Sequence, residues 1–325
     1  MSRCGEPVAR AAGATPKGGV YRPRNPRASP LYPCADRHLA ELRSEGRLQR
    51  LLEERVIERF LKCGDPHHGF ARIYCPECRH DYLLAFSCKA RYFCPSCHQK
   101  RVLAYGDWVE ENVLAPVAHR QYVFTVPRML RPIFSRRRGL LGELCHIVER
   151  LLIQAYAGAK VEGRPGLILF VQTFGDLVTF NPHIHVLATD GLFRADGVFV
   201  ALPAIPLKLL EQGFRREVLK LLLAEHSIGE GLSSRMLAWR HSGFSVHNGV
   251  RVRAGDAEGR KQLAQYMLRA PFSLEKMTYL PQTGMVMYRS HLHKSLKRKF
   301  QLMPGAQWLE MLCRHVPDRF EHLVR

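Results

Sequence analysis

Two histidines one residue apart, His183 and His185, lie in the apolar stretch FNPHIHVLATDG at residues 180–191. On a strand, residues i and i+2 point to one face, so the two imidazoles project together from Cα atoms roughly 6–7 Å apart. Such a pair can share one cation and leave coordination positions open for substrate oxygens. The same spacing also fits two polar residues on a solvated face, because HxH alone carries little information. Gln172, on the preceding apolar run, can reach that cation or bond a backbone group. Asp176, Asp190 and His247 are further candidate donors.

A second reactive group stands out among the eleven tyrosines. In KQLAQYMLRAP, a rotation of 100° per residue brings Gln262, Tyr266 and Arg269 within about 40° of one line. Leu263, Ala264, Met267 and Leu268 occupy the opposite side. Tyr266 is therefore on the polar face of a helix, beside a guanidinium that can bind phosphate or stabilise a phenolate. An ordinary surface tyrosine fits the same pattern.

Six of the ten cysteines fall between Cys63 and Cys97. Cys75-Pro-Glu-Cys78 and Cys94-Pro-Ser-Cys97 are two CxxC pairs with fifteen residues between them. Two such knuckles complete a closed tetrahedral Cys₄ site, so a structural Zn²⁺ on Cys75, Cys78, Cys94 and Cys97 is expected. Redox chemistry would need one pair, not two. Cys63, Cys88 and His68 offer a second zinc site, or are simply buried thiols and a loop histidine. CKARYFCPSCHQKR mixes Arg91, Lys100 and Arg101 with Tyr92 and Phe93. That mixture suits phosphate contact and base stacking, or a basic surface over interior aromatics.

Lys and Arg number 49 against 29 Asp and Glu, a formal net charge of +20. Solubility needs far less, and such an excess attracts polyanions, with nucleic acid the favoured partner. No apolar run approaches the length of a membrane span, and the first residues lack the apolar centre of a secretory signal. A cytoplasmic protein with no membrane partner is expected.

The elements that must position these groups read as follows. Residues 1–32 form a basic tail, with Tyr21 and Tyr32 as anchors. Helical spacing runs over 36–61 with Asp36 as N-cap, then over 98–114, 130–157, 206–225, 257–270 and 304–315. The 130–157 helix carries the basic run Arg136, Arg137 and Arg138. Strands are expected at 120–127, 166–174, 182–190 and 243–255, with a hairpin turning at Pro281–Gly284. The links between neighbouring strands are too short for parallel crossovers, so the class is α+β with an antiparallel sheet. The domains are a tail at 1–32, a helix and zinc-binding domain at 33–100, and a catalytic domain at 101–325.

In order, the cysteine module, NPHIHVLATDG and LAQYMLRAPFSLEKM resemble the insertion-sequence 91 family of HUH transposases, including the related common-region elements. In HUH, U is a bulky apolar residue, here Ile184. The resemblance runs from YRPRNPRASPLY to the last residue. It implies an N-terminal helix and zinc-ribbon-like module, then an HUH endonuclease core with a central antiparallel sheet flanked by helices. It implies rolling-circle transposition on single-stranded DNA at element ends, with a DNA target. By position, His183 and His185 would bind Mg²⁺ or Mn²⁺, and Tyr266 would attack the scissile phosphate to give a 5′-phosphotyrosine. Two-tyrosine members carry a second tyrosine four residues from the first. Gln262 and Ala270 stand at those positions here, so the chain resembles the single-tyrosine members. The family continues past RFEHLVR, so a copy shortened at its C-terminus is expected. Two rivals remain at this stage. An HxH metal hydrolase would need a repeated β/α pattern, which is missing. A zinc-ribbon DNA-binding protein without catalysis would make the His183, His185 and Tyr266 set accidental.

Overall fold

In the computed structural model, residues 25–290 and 299–325 are described. Most of the expected tail, with Tyr21, lies outside them. Tyr32 lies inside α1 (Leu31–Ser44) and packs on Phe60 of α2 (Leu51–Leu61), with ring centroids 6.2 Å apart. The single helix expected over 36–61 is thus two, and Asp36 falls within α1. Gly46 at φ +63° makes the break, and Arg47 N–H returns to the Leu42 carbonyl. This is the left-handed helix end that glycine favours. Periodicity missed it because Leu42, Val56, Ile57 and Phe60 all face one core.

The antiparallel hairpin β1 (Phe70–Tyr74) and β2 (Asp81–Ala85) follows. Next come α3 (Pro95–Asn112) and β3 (His119–Thr125). The expected long helix breaks after α4 (Arg131–Arg136) and resumes as α5 (Leu140–Ala157). At the break, Arg137 pairs with Glu225 and Arg138 with Glu321.

β4 (Leu167–Phe174) and β5 (Phe180–Thr189) form the expected antiparallel hairpin, joined by a tight turn at Asp176–Val178. A short hairpin, β6 (Gly191–Phe193) and β7 (Phe199–Ala201), precedes α6 (Leu207–Ala224) and α7 (Glu230–Ala238). The strand expected over 243–255 is two short pieces, β8 (Ser245–His247) and β9 (Arg251–Val252), both paired with β3. The central sheet runs β4-β5-β3-β8, and residues 323–325 hydrogen-bond along β4. Then come α8 (Ala257–Met267), β10 (Met277–Leu280), β11 (Met285–Arg289), β12 (Phe300–Pro304) and α9 (Gly305–Cys313). The β10–β11 turn is where it was expected, with Gly284 at φ +69°.

The class is α+β, with an antiparallel sheet flanked by helices. On one face Ile184, Val186, Phe124 and Tyr122 are buried against α5 and α6. On the other, Phe170 and Leu187 pack on Leu263 and Met267 of α8. A separate core joins α1, α2 and the knuckle residues Phe93 and Cys94 to β10–β12 and α9, with Trp308 fully buried. Among the described residues, no helix is long and apolar enough to cross a membrane.

Candidate active site and metal centre

β5 is an inner strand, so its side chains meet neighbours on both sides. In register, Gln172 of β4 and Thr125 of β3 flank His183, while Phe170 and Val123 flank His185. Directly opposed residues share a face. The rings of His183 and His185 lie 4.8 Å apart between centroids. His183 Nδ1 is 2.8 Å from the Asn181 carbonyl, to which it donates, so Nε2 keeps its lone pair. His185 Nδ1 lies 2.7 Å from Gln121 Nε2, which donates to it and leaves the ring proton on His185 Nε2, and that Nε2 is buried with no partner. An amide can meet that ring with either end. With the oxygen towards it, Nδ1–H donates and Nε2 is free to ligate. Burial lowers the pKa of His183 to about 4. Burial, then His183 and Arg269, lowers His185 to about 3. Both rings are therefore neutral at pH 7, as a metal ligand must be.

Of the two roles expected of Gln172, the backbone bond is the one observed. Its Nε2 donates to the carbonyls of Met267 at 2.7 Å and Tyr266 at 3.3 Å, and its Oε1 is buried without a partner. The side chain therefore fastens the end of α8 and leaves an oxygen on the histidine face. Asp190 differs. Arg120 grips its carboxylate twice, at 2.9 and 3.2 Å, and Arg251 lies 2.6 Å away, so its charge is already matched. Asp176 sits in the β4–β5 turn, and His247 is exposed on β8 in the His185 row.

Tyr266 is 44% exposed, and its ring stands edge-on to His185 at 6.1 Å. The Arg269 guanidinium lies over that ring at 4.4 Å and over Phe174 at 5.5 Å. The polar helix face read from spacing thus turns towards the two histidines. Gln262 takes no part there and bonds Glu258. Several contacts hold α8 against α3. Arg260, only 3% exposed, makes a two-pronged pair with Glu110 at 2.9 and 2.6 Å, and Lys261 reaches Asp107. A Cβ on Gly106 would come within 2.4 Å of the Gln265 side chain, so glycine permits the close approach.

The sulfur cluster is not the one expected. Cys63, Cys88, Cys94 and Cys97 bring their Sγ atoms within 4.8 Å of one another. Resolved separations are 3.9 Å for Cys63–Cys94, 3.8 Å for Cys63–Cys97 and 3.6 Å for Cys88–Cys97. A tetrahedron with Zn–S bonds of about 2.3 Å has edges of about 3.8 Å, so the set fits zinc. Shared S–H hydrogen bonds push Cys63 and Cys97 towards thiolate and hold Cys88 and Cys94 protonated. A bound divalent cation would let all four ionise. Cys75 and Cys78 instead flank the tip of the β1–β2 hairpin, whose last paired residues are Tyr74 and Asp81. Five paired residues extend that tip roughly 15 Å from the base, where Cys63 and Cys88 sit. His68, expected with Cys63 and Cys88, is exposed and outside the cluster. Sequence spacing favoured the two knuckles because a hairpin's direction is invisible in a CxxC count.

Comparison with known proteins gives the family. The description "Transposase zinc-binding domain" matches residues 34–126, and "Putative transposase" matches residues 166–325. The chain belongs to the insertion-sequence 91 family of transposases. It is 25% identical over 311 residues to a transposase for insertion sequence element IS801 of Pseudomonas savastanoi pv. phaseolicola, covering 88% of this chain and 72% of that one. It is 29% identical over 179 residues to the putative transposase y4qJ of Sinorhizobium fredii (strain NBRC 101917 / NGR234), covering 52% and 44%. No solved structure matches at the same level of significance.

In this transposase the zinc-binding region reaches the histidine face through His98, next to Cys97. His98 is 1% exposed, accepts the Tyr92 N–H at 3.2 Å and donates to the Leu268 carbonyl at 2.9 Å. His98 stands next to Cys97 in sequence, but this bond is not legible there, because its partner lies 170 residues away. Gln121 escaped for the same reason. Arg91 is exposed just before α3, and Lys100 and Arg101 are exposed in its first turns. The aromatics between them are interior. Tyr92 packs on His98 and Phe93 on Phe60, so neither is a stacking platform.

Proposed function

We propose that this transposase nicks and joins single-stranded DNA at the ends of its element through a 5′-phosphotyrosine intermediate, in rolling-circle transposition. The carrying observation is convergence: Tyr266 stands 6.1 Å from His185 on a face where His185 Nε2 and Gln172 Oε1 are buried and unpartnered. Buried polar atoms without partners are costly, and with the Gln121 amide turned oxygen-first towards His185 all three atoms offer lone pairs to a hard divalent cation. His183 Nε2, His185 Nε2 and Gln172 Oε1 would hold Mg²⁺ or Mn²⁺. When bound, that ion would polarise the scissile phosphate and offset charge on the leaving oxygen.

The chain's own groups do the rest. The Tyr266 hydroxyl gives its proton to solvent and attacks phosphorus. The bond from phosphorus to the 3′ oxygen breaks, that oxygen takes a proton, and the 5′ phosphate stays on Tyr266. Arg269 stabilises the phenolate and the phosphate. Arg91, Lys100 and Arg101 hold the strand's backbone. Attack of a 3′-OH on the phosphotyrosine rejoins strands, so no nucleotide triphosphate is consumed. The setting is the bacterial cytoplasm, on the nucleoid.

The deciding experiment mixes purified protein, Mn²⁺ and single-stranded DNA from an element end. Wild type forms a covalent adduct on the 5′ side of the nick. Tyr266→Phe forms none, and an adduct there would sink the nucleophile assignment. His183→Ala with His185→Ala lowers the nicking rate at least about a hundredfold. A non-catalytic zinc-ribbon DNA-binding protein would form no adduct at all.

A further inference from the structure

A cavity of about 440 Å³ opens beside His183, where four stretches of chain converge. These are the first turn of α3, the β4–β5 turn, the segment from Arg269 to Lys276, and the end of β11. Its lining includes Arg269, Lys276 and Arg289, against the single carboxylate of Asp176. Gln99 and Asn181 add two amides, and the Asn181 Oδ1 is buried with no partner. Phe174 and Phe272 contribute apolar wall. Concave sites of a few hundred Å³, with mixed apolar wall and a few fixed polar groups, hold one small ligand.

We infer that this cavity receives one unpaired nucleotide of the DNA strand, next to the phosphate that Tyr266 attacks. The inference rests on the nicking reading and adds a base-binding pocket to it. Three cations around one carboxylate select a polyanion. Arg269 links the two regions, since it lines the cavity and lies over the Tyr266 ring. The Asn181 oxygen needs a donor, which the exocyclic amino group of a base supplies, and the Gln99 amide can donate or accept. A paired base hides those edges and is too bulky with its partner, so the nucleotide must be out of the duplex. Phosphate contacts set position, and the amides read the base.

The test measures affinity of the full chain carrying Tyr266→Phe, in Mn²⁺, for two probes. One is a random-sequence 30-nucleotide single strand, and the other is a fully abasic strand of equal length and charge. Lys276→Glu with Arg289→Glu reverses charge at the cavity. Arg216→Glu with Lys220→Glu makes the same net change on the far side of the sheet, on α6. The cavity pair should weaken the random strand at least tenfold more than the α6 pair and abolish its advantage over the abasic strand. Gln99→Ala, which leaves charge untouched, should narrow that advantage while preserving abasic affinity. Equal losses from both pairs, or an undiminished base preference in the cavity variants, would overturn the inference. The adduct assay with Tyr266 intact fails separately. No adduct, together with a cavity-dependent base preference, would remove the nicking chemistry and keep the pocket.

Discussion

At the residue scale, the histidine pair depends on what grips its far nitrogens. The Asn181 carbonyl and the Gln121 amide fix both rings, and such outer partners typically alter metal affinity by about 10–100-fold. Gln121→Ala should therefore weaken Mn²⁺ binding by that factor, measured by titrating nicking against Mn²⁺, while zinc content stays unchanged. An unaltered Mn²⁺ dependence would show that Gln121 merely fills space. The pair and Tyr266 were legible in sequence because strand and helix periodicities are local. Gln121 was not, since only the β3–β5 register brings it to His185. Nor was the zinc set. Cys63 has no knuckle partner in sequence, and a fold-level hairpin decides which sulfurs meet.

At the element scale, α8 is held at one end by His98 and Gln172 and along its side by α3. Glu110→Ala would strand the buried Arg260 charge, a loss of about 3–5 kcal/mol, read as a lower denaturant midpoint. His98→Ala should slow nicking with the zinc retained, and His98→Gln, which can still donate to Leu268, should restore part of the rate. Loss of zinc in His98→Ala would instead make the residue part of the sulfur site. The turn between β4 and β5 has its own clamp. His315 is fully buried, hydrogen-bonds Thr173 at 3.0 Å and the Val178 carbonyl at 2.9 Å, and has its pKa lowered to about 4. Burial is the main cause, and Arg138, Arg314 and Arg50 act the same way. A depressed imidazole is neutral when folded and takes up a proton on unfolding. Stability is thus full above pH 6.5, falls as pH drops towards 4 and levels off below, by on the order of 3 kcal/mol. Urea unfolding of wild type and His315→Asn across that window should show a flatter slope in the variant. The two broken helices show where element reading stops: apolar periodicity continues across Gly46 and across Arg137–Gly139, because both pieces face one core.

At the scale of the whole molecule, +20 of net charge makes DNA affinity a strong function of salt. The slope of log affinity against log salt should approach about −0.7 per phosphate contacted on a single strand. Charge reversal at Arg91 and Arg101 should lower that slope, whereas an unchanged slope would remove them from the interface. The sequence carried the fold class and the order of its parts. It did not carry the pairing of α1 and α2 with β10–β12 and α9 in one core, which joins elements far apart along the described residues. The β1–β2 hairpin stands apart from that core, with Phe70, Tyr74, Leu83, Leu84 and Phe86 all about half exposed or more. A two-stranded hairpin is marginally stable alone, so its amides should exchange with deuterium early and its tip should be the first protease cut. Its two feet, Gly64 and Phe86, are hydrogen-bonded beside the sulfur cluster. The arm is therefore a removable appendage: replacing residues 71–84 with a short turn should leave one zinc per chain.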